Sequence, residues 1–167
     1  MGAMSAASRA SRSFTLRASL WLLLGTWIGA WLCFGLVVAP NAFRVLPTIA
    51  IAGQLIGPVL DTLHGYGVVA GALLALLAWR LGRGRALVLL ALAAGAGCAF
   101  SQLVITPEIE TIRALAFGPQ GSPEVAARFR RLHQVSVAIY VSVGITTLIL
   151  LAGHVRADLR AGPSEPA

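Results

Sequence analysis

The stretch from Gly57 to Trp79 is long and apolar enough to cross a bilayer, yet it carries Asp61 and His64 three positions apart, on one helical face. Ionisable groups at such depth are costly, so they point into a bundle and mark a functional site or a structural pair. Three more apolar runs flank it: Leu16 to Ala39, Ala86 to Thr106, and Val135 to Leu151. With 167 residues, 57% of them hydrophobic and 11% charged, the chain has room for four spans and none for a separate soluble domain. The expected fold is all-α, an integral membrane four-helix bundle in one domain.

The net charge of +7 comes from arginine alone, for the sequence has no lysine. The arginines fall in the gaps between apolar runs, where lipid head groups and the topology machinery are their partners, which argues against nucleic acid. Cys33 and Cys98 lie inside apolar runs and read as small hydrophobes, with no C-x-x-C pattern to suggest a redox or metal site.

Residues 1–13 read as a disordered cytoplasmic tail, 14–155 as the four-span domain, and 156–167 as a polar C-terminal tail. The first run is too long for a signal-peptide core and no A-x-A site closes it, so it is expected to remain as a span. Its Trp21, Trp27 and Trp31 suit an interface or lipid contact. Pro40 to Pro47 ends it, and a second helix begins near Thr48 and kinks at Gly57-Pro58. The Arg80-Leu-Gly-Arg-Gly-Arg85 loop marks the cytoplasmic side, which places both termini inside. Pro107 marks a break or the first turn of a short amphipathic helix reaching Phe117, and Ser122 caps the last helix.

Each helix offers one small or polar stripe: Thr26, Gly29, Cys33 and Asn41; Gln54, Gly57, Asp61, His64 and Gly71; Gly95, Cys98, Gln102 and Thr106; Phe129, His133, Ser136, Tyr140, Gly144 and Thr147. Stripes facing one another would leave the rest to lipid. His64 lies about 24 Å along its helix from Arg80, so Asp61, His64, His133, Glu108 and Gln102 are expected in one layer near the outer leaflet. Gln54, Gln102, Ser136 and Tyr140 would line the polar interior.

Three readings fit that layer: polar glue between helices; ligands for a metal cation or carriers of a small solute, with His64, His133, Asp61 and Glu108 as the metal set; or a bis-histidine haem b between His64 and His133. Phosphate loops, dinucleotide fingerprints and nucleophile motifs are absent, so no catalytic residue is assigned. His154, beside Arg156, reads as solvated and interfacial. Arg128, Arg130 and Arg131 read as lipid-phosphate contacts, one of them able to pair with Glu108 or Glu110. Four spans make a thin wall for a pore, so a transport role favours a homodimer, and a structural role favours another membrane protein as partner.

Val38-Ala-Pro-Asn-Ala-Phe-Arg-Val-Leu-Pro47, Ala52-Gly-Gln-Leu-Ile-Gly57, Thr106-Pro-Glu-Ile-Glu-Thr-Ile-Arg-Ala-Leu115 and Phe129-Arg-Arg-Leu-His-Gln-Val-Ser136 resemble, in that order, the transmembrane protein 205-like family. The resemblance spans nearly all of Leu20 to Leu150 and implies a four-span protein of a bacterial cytoplasmic membrane. It defines no catalytic or ligand residue, so none is carried over.

Overall fold

The computed structural model describes residues 2–118 and 121–161, with side chains placed from Ser11 to Arg160. Six α-helices form the fold among the described residues: α1 (Gly2–Cys33), α2 (Ala39–Val45), α3 (Ile49–Arg80), α4 (Arg85–Phe100), α5 (Thr106–Phe117) and α6 (Pro123–Ala161). Two π-helical segments, Phe34–Val38 and Ser101–Ile105, join α1 to α2 and α4 to α5 without interrupting the helical path. Four continuous helices result, over Ser11–Val45, Ile49–Arg80, Arg85–Phe117 and Pro123–Arg160, each long and apolar enough to cross a membrane. The protein is an all-α, multi-pass membrane protein, as the sequence predicts. The start of α1 and the end of α6 lie at one end of the bundle, joined there by Trp21 of α1 and Asp158 of α6.

Helix ends follow the local chemistry. The Thr48 hydroxyl accepts from the Ile51 amide at 3.2 Å at the start of α3, and the Ser122 hydroxyl accepts from the Val125 amide at 3.3 Å at the start of α6. The described helix of α1 begins at Gly2, inside the segment read as a tail, and α6 runs on to Ala161. Met1 and residues 162–167 lie outside the described residues.

Pro40 does not end the first span. Each π segment stops two residues short of a proline, Pro40 or Pro107, and closes with a five-residue bond, from Ala39 N–H to Phe34 O and from Thr106 N–H to Ser101 O. The wider turn lets the helix pass a residue that cannot donate. The break comes instead at Leu46–Thr48, around Pro47.

The two π segments run into similar sequences, Leu36-Val-Val-Ala-Pro40 and Leu103-Val-Ile-Thr-Pro107, and each precedes a span capped by Thr48 or Ser122. The chain is thus two helical hairpins of one pattern.

α3 and α4 make the closest pairing. A methyl group on Gly71 would stand 2.7 Å from Gly95 Cα, and one on Gly67 2.5 Å from Cys98 Sγ. Small residues here let the two backbones approach, the packing that drives association where lipid is as apolar as the side chains. The inward face of the first span is Leu20, Leu24, Trp27, Trp31 and Phe34, all buried, whereas Thr26, Gly29 and Cys33 are exposed. This corrects the stripe expected for the first helix and the lipid contact expected for Trp27 and Trp31. The indoles fill volume among glycines, with Gly67 against Trp27 and Gly144 against Trp31.

Candidate functional site

Trp31 is the hub of the interior. Its ring stacks on Tyr140 of α6 at 4.6 Å and 9°, and meets His64 of α3 edge-on at 5.6 Å. Its Nε1 donates to the Tyr140 carbonyl at 3.0 Å. The Tyr140 hydroxyl donates in return to the Trp31 carbonyl, at the mouth of the first π segment. Gly35 and Gly144 leave room for these rings, Tyr140 against the first and Trp31 against the second.

His64 is fully buried, and neither ring nitrogen makes a well-formed hydrogen bond. The Leu60 carbonyl of the preceding turn lies near the ring without that alignment. Even a good bond there would serve only one nitrogen, leaving the other without a partner. The pairing of Gly67 with Cys98 and Gly71 with Gly95 sets an antiparallel register that brings Ser101 and Gln102 opposite His64. Ser101 Oγ, Gln102 Oε1 and Trp27 Nε1 are likewise buried without hydrogen bonds. By this register His64, Ser101 and Gln102 fall at one level beside the second π segment, and Trp27, packed on Gly67, lies about one turn nearer the termini end.

One turn further from the termini, Asp61 lies beside Thr106, Glu110 and Arg113 of α5. The Arg113 guanidinium covers Gly57, where a methyl group would meet it at 3.2 Å. Asp61 and Arg113 are half-buried and Glu110 is exposed, so this cluster lies between the His64 level and the far end of the bundle.

The expected four-residue metal set does not assemble. Asp61 and His64 share a face of α3, with Gln102 opposite by register, but His133 is exposed, with its ring parallel to Phe129 at 6.2 Å. It stands seven residues beyond Tyr140, about 10 Å nearer the far end, where α6 packs on α5 through Phe117 and Phe129 at 4.9 Å. Glu108 is taken by Arg128, an ion pair on the surface. Among the described residues no three His, Cys, Asp or Glu side chains converge as a metal site requires. Of the expected polar interior, Ser136 is buried, Tyr140 and Gln102 are half-buried, and Gln54 is exposed.

Sequence reasoning passed over Ser101, Trp27 and Arg113. Ser101 was legible as a polar neighbour of Gln102, three residues on from Cys98. His154, expected in solvent, is fully buried against Trp21 at 6.5 Å, because α6 continues as helix past Arg156 and turns this face onto α1. A shallow groove of about 320 Å³ between α4 and α6, lined by Ala94, Gly97, Ala138 and Ser142 among others, faces outward from the bundle.

No curated protein and no solved structure matches the chain. Residues 22–117, which carry α3, both π segments and the layer around His64, match a domain of unknown function, DUF4149, and over more than half of its length the chain belongs to that family.

Proposed function

We propose that this membrane protein holds a small polar solute or cation in an occluded layer built on His64, Ser101 and Gln102, as a small transporter or an accessory to one. The observation that carries this reading is the set of buried, unpartnered donors and acceptors at the second π segment. Such groups cost of order 1–3 kcal/mol each when left unmatched inside a protein, more than a structural role needs to spend. A hydrogen-bonding solute would recover that cost. Two further features support it: π segments concentrate at functional sites, and paired irregular helices in two like halves accompany binding sites in transporters. Asp61, Glu110 and Arg113 would form the approach. In this reading the arginines of the 80–85 loop face the cytoplasm of a bacterial cell, with both termini, and the protein is close in kind to the transmembrane protein 205-like proteins it resembles.

The test is solvent access. Ser101→Cys is made in a chain carrying Cys33→Ser and Cys98→Ala, reconstituted in sealed vesicles, and treated from either side with a water-soluble methanethiosulfonate. A binding layer that opens to water predicts reaction from at least one side, faster than for a thiol introduced at lipid-facing Leu103. A thiol at position 101 that stays unreactive from both sides would leave these groups as polar glue, and the protein as a structural partner of another membrane protein.

A further inference from the structure

The end of the bundle that carries both termini holds a second polar cluster, separate from the layer around His64. Arg83 sits between Gly82 and Gly84, whose φ angles of 63° and 90° are backbone conformations that strain any residue with a side chain. The turn sends the Arg83 side chain beneath the bundle, where only 5% of it stays exposed. There it donates to Asp158 Oδ1 of α6. Asp158 Oδ2 accepts from Trp21 Nε1 of α1 at 3.0 Å, and Arg17 Nε lies 3.9 Å from Oδ1. His154, one turn before Asp158, is fully buried against the edge of Trp21.

Cationic donors outnumber acceptors in this cluster. Arg17 Nε and Arg83 Nε are buried without hydrogen bonds, while a single carboxylate faces two guanidinium groups. Arg12, Arg80, Arg85, Arg156 and Arg160 are exposed at the same end, and Asp158 is the one acid there among the described residues. Desolvating an arginine without an equal anion is costly, and the planar guanidinium is matched in shape to phosphate oxygens. Arg17, with 41% of its side chain exposed, is where the cluster opens to its surroundings.

We propose that Arg17 and Arg83 bind an anionic phosphate group at this membrane interface, either the head group of an anionic phospholipid or phosphate free in the aqueous phase. Asp158 and Trp21 hold the two guanidinium groups in place for it. Bound there, the phosphate ties α1, the α3–α4 turn and the end of α6 together.

The full chain, purified in mild detergent and stripped of lipid, is titrated separately with phosphatidylglycerol, phosphatidylcholine and inorganic phosphate while its thermal midpoint is followed. A rise with phosphatidylglycerol and not with phosphatidylcholine identifies the lipid head group; a rise with inorganic phosphate alone identifies the free ion. Either supports the site. Arg17→Gln, whose long contact with Asp158 makes folding tolerant of the change, should weaken the response roughly tenfold. Arg44→Gln, at the opposite end of the bundle, should leave it unchanged. Equal responses to both lipids with none to phosphate, no response to any of the three, or an undiminished response in Arg17→Gln would overturn the proposal.

Discussion

Trp31 and Tyr140 exchange hydrogen bonds across the bundle: the indole of one donates to the carbonyl of the other at 3.0 Å, and the phenol returns the bond to the first residue's carbonyl. That carbonyl lies at the mouth of the Phe34–Val38 π segment, where the α-helical bonding pattern changes. Tyr140→Phe keeps the ring stack and removes only the hydroxyl. It should destabilise the protein by about 1–3 kcal/mol, because a buried acceptor loses its donor. Trp31→Phe removes the reciprocal donor, and the double variant should cost less than the sum of the two. Unfolding by denaturing detergent checks both costs; strict additivity would mean that the two bonds act independently.

Gly71 is held by backbone rather than by flexible side chains. A methyl group there would stand 2.7 Å from Gly95 Cα, 2.8 Å from the Ala91 carbonyl oxygen and 2.9 Å from Gly95 N, none of which can rotate away. Gly71→Ala should therefore separate α3 from α4 and cost about 1–3 kcal/mol. Gly65, in the same helix, has nothing within 4 Å of such a methyl. Gly65→Ala should be neutral or stabilising by about 0.5–1 kcal/mol, through helix propensity alone. Thermal unfolding of the two variants side by side checks the contrast.

What the sequence revealed follows the same division. The spans, the Ser122 cap and the shared face of Asp61 and His64 were legible because apolar run length, capping chemistry and helical spacing are local properties. The inward face of α1 was not. In a membrane the outward face is as apolar as the core, so hydrophobic periodicity no longer tells Trp27 and Trp31 from Thr26 and Cys33. The separation of His64 from His133 depends on where α6 leaves the bundle to pack on α5, a relation between distant segments. His154 was misplaced because Arg156 two residues on suggested water, while Asp158 on the same face was already committed to Trp21 and Arg83.

The two closest ion pairs should differ in worth. Arg128 and Glu108 leave 60% and 39% of their side chains exposed, so Arg128→Gln should change stability by less than about 1 kcal/mol. Asp158 holds the nearly buried Arg83 and the Trp21 indole together. Asp158→Asn keeps the shape and leaves Arg83 without its counter-charge, and should cost about 2–3 kcal/mol, toward the lower end for breaking a buried pair because Asp158 itself is a quarter exposed. High salt should weaken the first pair and leave the second nearly untouched. Unfolding at low and high ionic strength measures both effects.

His64 offers a test in which stability and function move in opposite directions. In protein freed of any bound solute, at least one His64 nitrogen is buried without a partner, and the ring lies against the edge of Trp31. Replacing such a group with an apolar one of similar size removes a desolvation cost without opening a cavity. His64→Leu should therefore raise the thermal midpoint of the purified protein, by the equivalent of about 1 kcal/mol, while abolishing whatever the polar layer binds. Residues that serve a site rather than the fold show this trade. His133→Ala, at an exposed ring beside Phe129, should shift the midpoint little. A marked loss of stability in His64→Leu would instead mean that His64 holds the bundle together, and the solute-binding reading would lose its centre.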